Sequence, residues 1–443
     1  MNILHYALGF PPYRTGGLTK YVIDLAKEQV MEGHNVSLIW PGEIKIIGRK
    51  NRIKKRPSVY GINSFEIINP LPVSYDEGIV DLMAFTQNGD KEVYIKFLKE
   101  NNIEVIHFHT FMGLHEEFVD AAKELGIRTV YTSHDFFAIC PKVTLCRNGK
   151  LCEEVLDFRS CPECNLTALS MKKMIILQSP LYRTLKDSRI VKKLRKRHRD
   201  TALNEVTDDK VTGNKSKKAK HVGYYIQLRA FYKFIYDKID FIHFNSSVSR
   251  MVYDKCFGKH RGKVISISHA NIRDNKKEKK FSDELRITYI AAPSAAKGYY
   301  MLIDTLDKLW EEGKRFSLNT PFISPVERPY LNCFGHFDSD ELGKIFDNTD
   351  ILVAPSVWYE TFGFTVLEAL SFGVPVLISD HVGAKDIIPD DSLLMFKDQD
   401  ELYQILKDVD KAKLKVLNKN IVKNVKIKLL SDHAKELEKE AYR

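Results

Sequence analysis

Apolar positions along this chain fall into two alternating patterns, short continuous runs and longer stretches with helical spacing. Residues 351–355 (ILVAP) form a continuous apolar run, the pattern of a strand buried on both faces. Residues 364–372 carry helical spacing and end at Gly373, which suits a helix C-cap. A second apolar run, 374–379, follows at once. The amino-terminal segment repeats this order: a strand over 2–8, a glycine-rich loop over 9–17, a helix over 18–32 and a strand over 35–40. Further strands are predicted at 105–109, 129–132, 240–245 and 263–268, with helices at 113–125, 224–238 and 248–256, the last capped by Ser246 and Ser247. The polar stretch 271–280 reads as a linker. Beyond it the pattern resumes with a strand over 285–291 and helices over 299–312 and 339–347; a long polar helix over 421–442 follows. Repeated strand–helix–strand units predict an α/β protein with two doubly wound, Rossmann-like domains.

Three places in this pattern carry candidate chemistry. Glu360 lies just before the helix that starts near residue 364, and Glu368 lies about one turn inside it. The two carboxylates can therefore grip different hydroxyls of one extended ligand, beside backbone N–H groups suited to an anion. Gly16 and Gly17 open the first helix and lack Cβ atoms, so a phosphate can approach the backbone closely. The loop does not match G-x-G-x-x-G, which disfavours a dinucleotide cofactor. His109 and His134 end neighbouring parallel strands, where open α/β sheets place ligand sites.

The segment Glu360-Thr361-Phe362-Gly363, Glu368, Gly373-Val374-Pro375-Val376 resembles the donor-site signature of retaining glycosyltransferases of the two-Rossmann (GT-B) type, especially glycosyltransferase family 4. The resemblance implies that the two domains face each other across a cleft and that the cleft takes a nucleotide-sugar donor. Gly16 and Gly17 would face its diphosphate, and Glu360 would hold the sugar hydroxyls. Glu368 would hold the ribose, and His336 would sit under the base. His134 would lie beside the transferred sugar and the acceptor. Thr361, Phe362, Gly363, Phe364 and Thr365 would lie along the donor. The family usually shows G-R-x4-K-G in the second domain. Here Ala291 and Ala292 stand for the Gly-Arg pair, while Lys297 and Gly298 are kept. Lys297 becomes the group expected to neutralise the leaving diphosphate, with Arg14 a candidate substitute for the missing arginine. Catalysis would require no divalent cation. Asp338-Ser339-Asp340 reads as a helix cap rather than a metal signature.

Composition adds a frame. The 443 residues suit two large domains, and the formal charge of +10 points to an acidic partner such as a nucleotide, a membrane surface or nucleic acid. No apolar run is long enough to span a bilayer, and the first residues do not form a signal peptide, so a cytoplasmic location is expected. Five of the seven cysteines, Cys140, Cys146, Cys152, Cys161 and Cys164, fall in one loop-like stretch. Cys161 and Cys164 have the C-x2-C spacing, and Cys140 and Cys152 could complete a four-thiolate structural zinc site; free thiols and an iron–sulfur cluster are the other readings. Residues 186–220 hold 13 basic and 5 acidic side chains and read as an exposed insertion, either a solvated loop or a surface that docks on anionic lipid. No recognisable module accompanies this basic run, which argues against nucleic acid.

The expected organisation is an acceptor-side domain over 1–272 with inserts at 140–164 and 186–220, a donor-binding domain over 273–420, and a closing helix over 421–443 that in this fold commonly crosses back. The expected activity is transfer of a sugar from a UDP- or GDP-sugar to a hydroxyl acceptor, a sugar or lipid-linked sugar, in surface polysaccharide or glycolipid assembly at the inner membrane face. A non-catalytic scaffold and a sugar-nucleotide epimerase are the competing readings.

Overall fold

A computed structural model describes residues 1–11, 14–45, 48, 50–152, 155–186, 188 and 221–443. The basic insertion expected at 186–220 therefore lies outside the described residues, apart from Lys186 and Ser188.

Sixteen strands are named in chain order. They are β1 (Asn2–Tyr6), β2 (Asn35–Pro41), β3 (Arg52–Val59), β4 (Ile62–Ile68), β5 (Val105–Phe108), β6 (Arg128–Thr132), β7 (Cys146–Arg147), β8 (Lys150–Leu151), β9 (Phe241–Phe244), β10 (Gly262–Val264), β11 (Leu285–Thr288), β12 (Phe316–Thr320), β13 (Leu331–Cys333), β14 (Ile351–Ala354), β15 (Val376–Ser379) and β16 (Leu394–Phe396). The first sheet has the order β10-β9-β6-β5-β1-β2-β4-β3 and the second β13-β12-β11-β14-β15-β16. Both are parallel throughout, except that β3 runs antiparallel to β4 at the edge of the first. β5, β9 and β15 are buried along their whole length, because helices cover both faces of each sheet. This is the doubly wound α/β architecture expected, in two copies.

The edge strand β3 (RIKKRPSV) was not predicted, because its charged, exposed residues carry no apolar period. Such a strand blunts the sheet edge against pairing with another chain.

The end of the chain departs from expectation. In place of one helix over 421–442 there are two, Lys411–Asn424 and Leu430–Leu437, the second running into a single π-helical turn, Glu438–Tyr442. The first packs in the second domain through Leu414, Leu417 and Ile421. The second packs under the first sheet, where Ala434, Leu437, Ala441 and Tyr442 join Ile3, Val22 and Leu25. A straight helix cannot serve both cores, so the chain extends between them. Carbonyls left free in the extension find donors: Lys276 Nζ reaches Val425 O at 2.5 Å and Ser268 Oγ reaches Lys428 O at 2.8 Å.

Candidate functional site

The carboxyl ends of the two parallel sheets face each other, and the loops there build one cleft. From the first domain comes the N-terminus of the helix Gly17–Met31, which carries no side-chain cap. Gly16 has φ +115°, which favours glycine, and a Cβ there would meet open space. Opposite stands the start of the helix Phe364–Leu370; a Cβ on Gly17 would lie 3.9 Å from the Phe364 ring. The two turns singled out by sequence therefore meet across the cleft.

Behind Phe364 lies a cavity of about 210 Å³, with Tyr289, Ala291, Lys297, Ser356, Glu360 and Thr365 in its wall. Lys297 Nζ donates to Glu360 Oε1 at 2.5 Å, and Ser356 Oγ donates to Oε2 at 2.6 Å. Burial opposes ionisation of Glu360, but the Lys297 ammonium and the Ser356 hydroxyl outweigh it and hold the carboxyl below the usual range. Lys297 also sits over the Trp358 ring, 4.8 Å from its centre. The adjoining Gly298 fixes this lysine. Its φ is +71°, and a Cβ would fall 1.7 Å from the Pro355 carbonyl oxygen, so no other residue lets this loop lie against the wall.

Other predicted residues fall differently. Thr361 lies at the domain boundary, its hydroxyl donating to the His134 carbonyl at 3.0 Å. Phe362 is buried beside Leu367 in a core cluster, so its side chain supports the cleft rather than lining it. Gly363 opens the helix with φ +102°. His336 stands exposed on the loop after β13 and is absent from the cavity wall. Asp338 does not cap through its side chain; instead the Glu341 carboxylate accepts from the Asp338 N–H at 2.9 Å. Arg14 lies over the Tyr75 ring, 4.6 Å from its centre, and is not part of the Lys297 wall.

Glu368 accepts from His269 Nε2 at 3.1 Å. His269 Nδ1 accepts from the Asn271 N–H at 3.3 Å, so its proton sits on Nε2, facing the carboxylate. Sequence reasoning did not find His269; its only signal is a position at the end of the strand predicted over 263–268.

His134 sits at the cleft floor with its ring edge-on to Tyr21, at 4.6 Å, and its Nε2 3.2 Å from His109 Nδ1. Burial, and then the neighbouring His243, push its pKa down to about 3, so the ring is neutral at pH 7. The next residue, Asp135, was also passed over. Burial lifts its pKa to about 6, against the hydrogen bonds from Phe137 N–H and Thr110 Oγ.

The cysteine insert gathers its thiols in one neighbourhood, where Cys140, Cys152 and Cys164 all act on Cys161. All seven cysteines are free thiols, and among the described residues no three of their sulfurs lie within 4.8 Å of one another. Cys161 and Cys164 share one short helix, Cys146 lies on the β7–β8 hairpin, and Cys140 lies in a turn ahead of it. Burial first, and the nearby thiols second, push Cys161 up to about 12; burial lifts Cys140 to about 11. Zinc displaces such protons when it binds, so Cys140, Cys152, Cys161 and Cys164, which raise one another's values, are the residues that would hold it.

Comparison with known proteins agrees with this geometry. The model for glycosyl transferases group 1 matches residues 331–432, and that for glycosyltransferase family 4 matches residues 15–151. Sulfoquinovosyl transferase SQD2 of Arabidopsis thaliana is 31% identical over 109 residues, 24% of this chain and 21% of its own length. An uncharacterised glycosyltransferase, MJ1607, of Methanocaldococcus jannaschii is 43% identical over 122 residues, 24% of this chain and 30% of its own. The matches thus span well under half the length of these relatives. Among solved structures, sucrose-phosphate synthase of Thermosynechococcus elongatus superposes with a TM-score of 0.56 at 14% identity, covering 99% of this chain and 97% of that one. Anabaena HepE in complex with UDP gives 0.55 at 12% identity, covering 99% of both. At such identities these likenesses speak to the fold alone. With both family models placed on the two halves of the cleft, the chain belongs to the glycosyltransferase family 4, group 1 type, with the GT-B fold.

Proposed function

We propose that the protein transfers a sugar from a nucleotide-diphosphate donor to a hydroxyl acceptor with retention at the anomeric carbon. The observation that carries this is the cavity of about 210 Å³ in which Lys297 meets Glu360, opposite the uncapped start of the helix at Gly17. In the reaction the bond from the anomeric carbon to the donor phosphate breaks, and the nucleoside diphosphate departs with the electron pair. A bond forms from the acceptor oxygen on the same face, and its proton passes to the departing phosphate. Lys297 and the amides of Gly16 and Gly17 stabilise the charge that develops on that phosphate. These groups are assigned the role a divalent cation would otherwise take. Glu360, tied to Lys297 and Ser356, orients sugar hydroxyls, and Glu368 with His269 takes the ribose. Uridine is the first base to test, because HepE, of like fold, was solved with UDP. The test is incubation with labelled UDP- or GDP-sugars and a panel of saccharide and lipid-linked acceptors. Nucleoside diphosphate released only with an acceptor supports the reading, and release independent of any acceptor contradicts it.

A membrane-bound acceptor is favoured by one surface. Ile176, Leu181 and Leu185 are exposed at 60%, 69% and 47% on the helices Met171–Gln178 and Pro180–Leu185, beside exposed Lys172 and Lys173. Apolar side chains with adjacent lysines suit an anionic lipid surface. No described helix is long and apolar enough to cross a membrane. Cosedimentation with vesicles containing phosphatidylglycerol, lost in neutral vesicles, is the expected result; equal recovery with both would remove this part of the reading.

A second reading, a non-catalytic scaffold subunit, rests on Ala291 in the cavity wall and Ala292 beside it, where the family usually carries Gly-Arg. Failure to bind any nucleotide sugar would favour it.

A further inference from the structure

Under the first sheet's end of the cleft gather His5, His107, His109, His243 and His433, all fully buried. Four of them join His134 in one unbroken run of hydrogen bonds whose direction can be worked out from its inner end. The carbonyl oxygen of Ile265 can only accept, so His243 Nε2, 2.7 Å away, carries a proton. Neutral His243 then has a bare Nδ1, which accepts from the Thr132 hydroxyl at 2.8 Å. With its proton so placed, Thr132 Oγ accepts from His107 Nε2 at 2.6 Å. His107 Nδ1 accepts from the Tyr442 hydroxyl at 2.8 Å, and the Tyr442 oxygen accepts from Gln29 Nε2 at 3.1 Å. Gln29 Oε1 accepts from His5 Nε2 at 2.7 Å, and His5 Nδ1 accepts from His109 Nε2 at 2.9 Å. Last, His109 Nδ1 accepts from His134 Nε2 at 3.2 Å.

The opposite polarity fails. Turning every bond round, including the Gln29 amide, would leave a bare His243 Nε2 against the Ile265 carbonyl, two acceptors 2.7 Å apart. We infer that this run is a tautomer relay: it holds the proton of His134 on Nε2 and presents a bare Nδ1 to the cleft, so that His134 receives a hydrogen bond from a ligand hydroxyl and does not give one. Among the described residues the Nδ1 of His134 has no protein partner, and the residue is only partly buried. Tyr442, Gln29, Thr132, His107, His5, His109 and His243 are then positioning residues. Tyr442 lies in the π-helical turn Glu438–Tyr442, so the segment that crosses from the second domain sets the chemistry of the cleft floor.

Neutral rings are the state burial imposes. It holds His5 and His243 at about 4, and His107 and His109 well below the usual histidine value. His5, His107 and His109 each bring a nitrogen within 4.8 Å of the other two, the spacing of a metal site. In the relay, however, every lone pair among these three already receives a proton.

The naming of a hydroxyl as what Nδ1 receives rests on the proposed donor site; the tautomer itself does not, and it is read on the protein without ligand. The experiment is long-range proton–nitrogen correlation on the full chain labelled with 15N-histidine, with His134 assigned by its loss in His134→Gln. The expected result is a single His134 tautomer with Nε2 protonated. Tyr442→Phe and Thr132→Val break the relay at two separate links, and each is expected to turn His134 into a mixture of tautomers. Tyr21→Phe removes a hydroxyl bonded to His433 outside the relay and is expected to leave the single tautomer. Protonated Nδ1 in the wild type overturns the inference. So does an unchanged tautomer in a folded Tyr442→Phe or Thr132→Val protein, or an equal change in Tyr21→Phe. Should either relay variant fail to fold, the wild-type tautomer still decides.

Discussion

At the scale of the residue, the cleft depends on a few atoms that cannot be moved. Lys297 is the cation of the cavity wall, and its partner Glu360 is ionised because of it. Lys297→Ala should weaken nucleotide-sugar binding by roughly 10- to 100-fold, the worth of a charge-assisted hydrogen bond of about 1.5–3 kcal/mol. Titration calorimetry on the variant checks this, and unchanged affinity would remove Lys297 from the phosphate site. Gly298→Ala should destabilise by about 1–3 kcal/mol or more, since it adds a left-handed backbone strain to an overlap with Pro355. Thermal unfolding reads that directly. Much of this wall was legible in the chain, because Glu360, Gly363, Lys297 and Gly298 stand at fixed offsets from apolar strands. The relay was not. Its members come from β1, β5, β6, β9, the first helix and the last turn, and only the sheet register, which sets His5 beside His107, brings them together.

At the scale of the element, the closing segment does most to join the domains. Leu437 is fully buried against the first sheet although it follows the second domain in sequence. Leu437→Ala should cost about 2–5 kcal/mol, the range for emptying a buried leucine site, and should lower the unfolding midpoint in denaturant. No shift would mean that the segment detaches in solution. The break that lets it cross, at residues 425–429, left a mark that a single helix over 421–442 overlooks: Val425, Ile427 and Leu429 alternate with Lys426 and Lys428 at the period of extended chain. Continuous apolar runs such as β14 and β15 were plain, since burial on both faces leaves them no polar positions. The charged edge strand β3 had no such mark.

At the scale of the whole molecule, the buried histidines couple stability to pH. Burial lowers their folded pKa below the unfolded value of 6.5, to about 4 for His5, His115 and His243, to about 3 for His134, and well below the usual value for His107, His109 and His433. Their contribution is therefore fully present above pH 6.5 and is lost as pH falls from 6.5 toward 4. Each can supply up to about 1.4 kcal/mol per pH unit in that window. Asp135 acts with the opposite sign: its pKa is raised to about 6, so its contribution is fully present at low pH and is lost as pH rises through 6. One carboxyl against several imidazoles leaves the histidines in control, so denaturant midpoints should drop steeply below pH 6.5. A flat profile from pH 7 to 5 would contradict the neutral buried rings. Activity, by contrast, should survive treatment with EDTA, because Lys297 and backbone amides are assigned the charge on the leaving group.

The central claim is that the cavity beside Glu360 and Lys297 holds a nucleotide sugar. Titration of the purified protein with UDP- and GDP-sugars, beside the Glu360→Gln variant, tests it most directly. Saturable binding to one donor class, weakened at least tenfold in the variant, is the predicted result. Binding that the variant leaves unchanged, or no binding to any donor, would contradict the claim.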